Sequence, residues 1–272
     1  MRQKRIVLIN DVTGYSRCSV ACQLPIISSM GIETVFVPTA ILSINTYHPD
    51  FFFDDYTDKM TAYIQTYKTM NVEFDGICSG FLGSVKQIDI VKDFFKSFKT
   101  DQNFILVDPV MGDHGHLYPT YTKQMQEKMR DLMPYATIVT PNLTELCALI
   151  DETYHEVYDD QELFRMCQKL SKMGPQLIVV TGISHGQKIL NFVYDHGQYY
   201  RVEVDRIGED RSGTGDVYSA IIAGRYLQGC SFLQCVKQAA AFASKCIAYS
   251  KSIEAHPHLG LCFEPFLKEL GD

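Results

Sequence analysis

Three uninterrupted apolar runs limit what this chain can become: Ile6-Val7-Leu8-Ile9, Phe104-Ile105-Leu106-Val107 and Leu177-Ile178-Val179-Val180. Each is short and lacks the alternation of a strand with one wet face, so each reads as a strand buried on both sides. Between them, apolar residues recur at three-to-four spacing; Val85, Ile88, Val91, Phe94, Phe95 and Phe98 share one face of a helix. Strands alternating with helices define an α/β chain, a three-layer αβα sandwich with a mostly parallel central sheet and helices on both faces. Further strands are expected at 34–37, 75–79 and 137–140. Helices are expected up to Met30 with a kink or restart at Pro25, and over 55–70, 122–133, 161–173 and 232–249. Residues 188–194 and 198–204, joined by Asp195-His196-Gly197, read as an antiparallel hairpin at the sheet edge. With 272 residues and no repeat, low-complexity tract or linker, one domain over 1–272 is expected.

A sheet of this kind places ligands beyond the carboxyl ends of its strands, and polar residues gather there. Asn10-Asp11 follow the first run, Asp108-Pro109-Val110-Met111-Gly112-Asp113 the second, and Thr140-Pro141-Asn142-Leu143-Thr144-Glu145 the strand after that. Pro141 and Glu145 suit a helix start; Asn142 and Glu145, one turn apart, also suit an approach to a metal-bound phosphate. Late in the chain, Arg211-Ser212-Gly213-Thr214-Gly215-Asp216 runs into the small-residue helix pattern 217–224. Two glycines let the backbone turn tightly enough to aim successive N–H groups at one point, and the helix adds its positive end, which makes an anion cradle. A carboxylate beside a bound phosphate repels it unless it serves the chemistry, so Asp216 is expected to accept a proton from an attacking hydroxyl or to meet a metal. Read alone, the same residues also suit a glycine turn with Thr214 or Asp216 as an ordinary helix cap.

Composition removes several classes. A net charge of -7 gives no basic surface for nucleic acid. No apolar run reaches the roughly eighteen residues of a membrane helix, and Met1-Arg2-Gln3-Lys4-Arg5 precedes too few apolar residues for a signal peptide, so a cytoplasmic location is expected. The nine cysteines contain no Cys-x-x-Cys pair, and Cys18 with Cys22 lacks the second pair of a zinc site, so reduced, mostly buried thiols are expected. His48, His256 and His258 read as residues of solvated loops. A dinucleotide fold would need a glycine fingerprint after the first strand, where only Gly14 stands.

The ordered set Ser79-Gly80-Phe81-Leu82-Gly83-Ser84, Asp108 to Gly112, Thr140 to Glu145 and Gly213-Thr214-Gly215-Asp216 resembles the pyridoxal kinase branch of the ribokinase superfamily over about residues 5–250. The resemblance implies a ribokinase-like, usually dimeric kinase that moves the γ-phosphate of ATP·Mg²⁺ to the 5′-hydroxymethyl group of pyridoxal, pyridoxamine or pyridoxine. It implies Asp216 as catalytic base and Gly213, Thr214 and Gly215 as anion hole. It also implies Asp108, Asp113, Asn142, Glu145 and Thr181 around ATP, with Asp108 and Glu145 meeting Mg²⁺ mostly through water, and it leaves a monovalent cation open. Ser43, Thr46, Asp11 and Phe81 fall where the family borders the vitamin ring. Two positions depart from the pattern: Asp11-Val12 stands where many pyridoxal kinases have Ser-His, and Phe81 where many have Tyr. A carboxylate at Asp11 suits a protonated ring nitrogen or an exocyclic amine, and hydroxymethylpyrimidine kinases place an Asp in this loop. Hydroxymethylpyrimidine phosphorylation is therefore the alternative, and a catalytically silent sensor, which would have no use for Asp216, is a third.

Overall fold

A computed structural model describes residues 2–118 and 121–271. Its strands are β1 (Arg5–Tyr15), β2 (Glu33–Ile44), β3 (Phe53–Asp55), β4 (Gly76–Ser79), β5 (Phe104–Val107), β6 (Gly112–Asp113), β7 (His116–Leu117), β8 (Ile138–Val139), β9 (Leu177–His185), β10 (Lys188–Asp195) and β11 (Gln198–Asp205). The helices are α1 (Ser19–Ser29), α2 (Thr57–Thr69), α3 (Val85–Phe98), α4 (Lys123–Met129), α5 (Leu143–Ile150), α6 (Asp160–Ser171), α7 (Thr214–Leu227) and α8 (Phe232–Ser252). Nine strands form one sheet in the order β11-β10-β9-β8-β5-β4-β1-β2-β3, while β6 and β7 make a separate two-stranded ladder. The centre, from β9 to β2, is parallel; β3 at one edge and the β10–β11 hairpin at the other are antiparallel.

The fully apolar runs are explained by helices on both faces. Val7, Ile9, Ile105, Val107 and Val180 point into a core built with α2 to α6. Ile6, Leu8, Leu106, Leu177 and Val179 point into a second core built with α1, α7 and α8. Alternate residues of one strand therefore serve opposite layers. Along α3, the predicted face is the buried one, with Ser84 capping the helix by accepting from the Gln87 N–H. All nine cysteines are free thiols and eight are buried. Among the described residues, no helix is long and apolar enough to cross a membrane.

Several boundaries differ from expectation. β1 does not end at Ile9 but continues to Tyr15, shifting register between Asn10 and Val12 so that Thr13 and Leu42 pair and are both buried. β2 likewise runs to Ile44, and the short edge strand β3 was not foreseen. Helix α1 passes through Pro25 without a restart. A proline inside a helix costs about 3 kcal/mol, and the burial of Val20, Cys22, Ile26 and Ile27, each on the order of 1.5–3 kcal/mol for the larger side chains, offsets it. The expected 122–133 helix is α4 followed by a 3-10 turn over Arg130–Tyr135, where Pro134 forbids a further α-turn. The tail is a 3-10 turn, Pro257–Leu259, rather than a free loop: Tyr47 stacks on His258 with ring centres 4.2 Å apart, and Ser212 N–H donates to Pro257 O at 3.3 Å.

Candidate active site

The site forms where β1, β4, β5 and β8 end and α7 begins. Gly213 is the residue before the first turn of α7, at φ 72°, and a Cβ there would stand 2.0 Å from Arg17 O, so only glycine fits. The Thr214 hydroxyl donates to Arg211 O at 2.8 Å and closes the turn. No side chain caps the helix, so neither Thr214 nor Asp216 has that ordinary role. The first N–H groups of α7 have no acceptor within the helix, and they carry its positive dipole end towards the strand ends. A Cβ on Gly215 would meet only Asp108 Oδ2, at 3.9 Å, which leaves open space between the turn and that carboxylate.

Three carboxylates share this rim. Asp216 is partly buried and accepts from Asn10 Nδ2 at 3.2 Å. Burial first, then the Asp11 charge, push it up to about 7, against the restraining amide of Ser19 and side chain of Asn10. Asp108, 7% exposed after β5, is held well above the usual carboxylate range by burial and then by Asp216, partly offset by the Thr140 and Ser219 hydroxyls. Asp11, 6% exposed, accepts from the Thr13 hydroxyl at 2.7 Å and is raised by burial. Three acids that resist ionising together make a place where a cation is welcome.

Mg²⁺ fits that place in its usual manner. It keeps several waters and takes one or two carboxylates plus substrate phosphates, not a cage of protein ligands. Consistently, the described residues contain no cluster of three or more metal-ligating side chains, while Asp108 faces the open space by Gly215 and Ser79 Oγ beside it is buried without a partner among the described residues.

Asn142 and Glu145 form a reciprocal helix cap. The Asn142 side chain accepts from Glu145 N–H, and Glu145 returns a bond to Asn142 N–H at 2.9 Å while its other oxygen accepts from Met111 N–H at 3.0 Å. Asn142 Nδ2 also donates to Gly112 O at 2.8 Å. Both residues thus pin the 108–112 segment, and each Glu145 oxygen holds one backbone N–H. Thr181 lies beside them, its N–H donating to Pro141 O at 2.9 Å. Asp113 is exposed on the β6–β7 ladder, next to His114, which reaches Asp210 at 3.4 Å. Ser43 and Thr46 are also exposed; the Ser43 hydroxyl accepts from Phe52 N–H at 2.9 Å, so it holds the loop instead of presenting itself freely.

Phe81 sits in a turn braced from three sides. Its N–H donates to Asn10 Oδ1 at 2.8 Å, its carbonyl accepts from the Thr39 hydroxyl at 2.9 Å, and Gly83 N–H donates to Gln87 Oε1 at 2.8 Å. Sequence reasoning placed Asn10 at the ligand end of the first strand without giving it a role, and missed Thr39 and Gln87. An amide on a helix face or strand end carries no motif, and only its burial, 2% exposed for Asn10 and 0% for Gln87, marks it.

The layering, the strand order and a glycine cradle facing acids at the strand ends are those of a ribokinase-like protein. Residues 20–259 match the family described as phosphomethylpyrimidine kinase, and the chain belongs to it. It is 29% identical over 185 residues to the chloroplastic thiamine biosynthetic bifunctional enzyme TH1 of Arabidopsis thaliana, a match covering 66% of this chain and 34% of that longer one. With the pyridoxine kinase of Bacillus subtilis it shares 28% identity over 202 residues, 71% of each chain. A Bacteroides thetaiotaomicron protein proposed to be a phosphomethylpyrimidine kinase, crystallised with pyridoxal, is 36% identical with a TM-score of 0.96, covering 100% of this chain and 96% of that one.

Proposed function

We propose that this chain is an ATP-dependent kinase of vitamin B6, transferring the γ-phosphate to the 5′-hydroxymethyl group of pyridoxal, pyridoxamine or pyridoxine, with Asp216 as general base. The observation that carries the reading is the position of Asp216. It stands between a cradle of backbone N–H groups and the braced Phe81 turn, on the rim it shares with Asp108 and Asp11. A phosphoryl group held by the first turn of α7 would lie over Gly215, opposite Asp108. Transfer through a loose transition state asks for positioning and charge stabilisation more than covalent help. The backbone N–H groups supply stabilisation where oxygen charge develops, and Asp216 orients the hydroxyl and takes its proton as the new bond forms. Asp108 would hold Mg²⁺, directly or through water, and Glu145 would face it; the ion would supply neutralisation of phosphate charge. Phe81 offers an apolar wall to an aromatic ring, and the buried Asp11 an acceptor for a ring or amine N–H.

Because a base works ionised, kcat/KM for the acceptor is expected to rise with pH along an acid limb. Its midpoint should lie near the value of about 7 that burial sets for Asp216. Initial rates measured across the range, repeated on Asp216→Asn, check this: the limb should be absent in the variant.

A second reading, hydroxymethylpyrimidine phosphorylation, is favoured by Asp11 and by the family match. One assay separates the two: ADP release with pyridoxal, pyridoxamine, pyridoxine and hydroxymethylpyrimidine offered side by side. Dominant turnover of a B6 vitamer supports the proposal; dominant pyrimidine turnover replaces it with the second reading. No ADP with any acceptor removes both.

A further inference from the structure

We infer that Asn10 is a positioning residue that couples the acceptor-binding turn to the base, holding the Asp216 carboxylate and the Phe81 backbone in one fixed relation. The inference rests on the kinase reading above and deepens it. The Asn10 side chain is 2% exposed and uses its full hydrogen-bonding capacity. Its oxygen accepts from Asp11 N–H at 3.0 Å and from Phe81 N–H at 2.8 Å. Its nitrogen donates to Gln23 Oε1 at 3.1 Å and to Asp216 Oδ1 at 3.2 Å.

The orientation of this amide is chemically determined. Two backbone N–H groups can only donate, so the oxygen must face them, and the NH₂ group must then face Asp216 and Gln23. Gln23 is fixed in turn by donating to Ser219 Oγ at 3.1 Å, one turn beyond Asp216 on α7. Gly80 completes the fit: a Cβ there would lie 2.5 Å from Asn10 Nδ2, so the chain comes this close only with glycine. One planar amide therefore spans the register shift in the middle of β1, the turn after β4 and the start of α7. A shift of the Phe81 wall and a shift of the base are transmitted through it. Thr39 supplies the contrast, because it holds the same turn through Phe81 O and makes no hydrogen bond to Asp216.

The test compares purified Asn10→Asp, Gly80→Ala and Thr39→Val with the parent, using the acceptor that the parent phosphorylates best. Asn10→Asp keeps an oxygen for the two backbone donors but turns a second oxygen on Asp216. Gly80→Ala removes no polar group but drives the amide off its place. Both are expected to lower kcat by about 10- to 100-fold, with the acceptor KM within about threefold of the parent. Thr39→Val should instead raise the acceptor KM and leave kcat within about threefold. Circular dichroism and thermal unfolding establish that each variant is folded, and Gly80→Ala carries the test if Asn10→Asp is not. A folded variant at Asn10 or Gly80 with parental kcat overturns the inference, as does a loss confined to KM in the manner of Thr39→Val. A parent that phosphorylates no acceptor fails at the kinase reading, before the variants are compared.

Discussion

Asp216→Asn is expected to lower kcat by about 10² to 10⁴ while nucleotide binding persists. The substitution keeps size and leaves the Gly213–Gly215 backbone as it is, so the anion cradle survives and only the proton acceptor is lost. Removing a negative charge that faces phosphate also relieves repulsion, so the apparent affinity for ATP should hold or tighten. The Asn10 amide keeps an oxygen to donate to, so the local hydrogen bond is retained. The measurement is kcat with saturating ATP and acceptor, alongside nucleotide binding by calorimetry. Turnover at the parental rate would strip Asp216 of its assigned chemistry.

Gly213→Ala is expected to be the most damaging single methyl group near the site. At φ 72° an L-residue is strained by about 1–3 kcal/mol, and the new Cβ would sit 2.0 Å from the Arg17 carbonyl, a backbone atom that cannot step aside alone. Strain and clash together should lower Tm by more than the 2–4 °C that each kcal/mol is roughly worth in a chain near this size, and should abolish turnover by displacing the first turn of α7. Gly229→Ala is the matched control: its φ is 93°, but a Cβ there meets nothing within 4 Å. Thermal unfolding of the two variants separates strain from collision, and equal losses would show that the Arg17 contact contributes nothing.

Much of the scaffold was legible in residue patterns. β5 and the predicted face of α3 are where they were expected, because an apolar run and a three-to-four periodicity report burial directly. The extensions of β1 and β2 were not legible. Beyond Ile9 the apolar run is broken by Asn10, Asp11, Thr13 and Gly14, and the pairs Val12–Ile41, Thr13–Leu42 and Tyr15–Ile44, formed across a register shift, keep the strand in the sheet. Pro25 misled for the opposite reason, since a local preference against helix was overridden by burial around it. At the rim, the glycine turn and the acids at strand ends stood out as motifs. The helix start read at 141–145 is there, but its cap is the reciprocal pair Asn142 and Glu145, with Pro141 just outside the helix. Asn10 stood out only by its place after the first apolar run and Gln87 not at all, because a buried amide is recognised by its partners, and those of Asn10 are up to 206 residues away.

The braced geometry of the rim contrasts with the outer ring of exposed residues, and that contrast bears on how such a scaffold can change its diet. Asp108 and Asp216 are seated on a strand end and a helix start, where a displacement would disturb two cores at once. Ser43, Thr46 and Asp113 are exposed, at the end of β2, in the loop after it and on the small β6–β7 ladder. Drift at those exposed positions would reshape the opening and leave the glycine turn and its acids intact, and relatives as differently named as a thiamine biosynthetic enzyme and a pyridoxine kinase both match this chain.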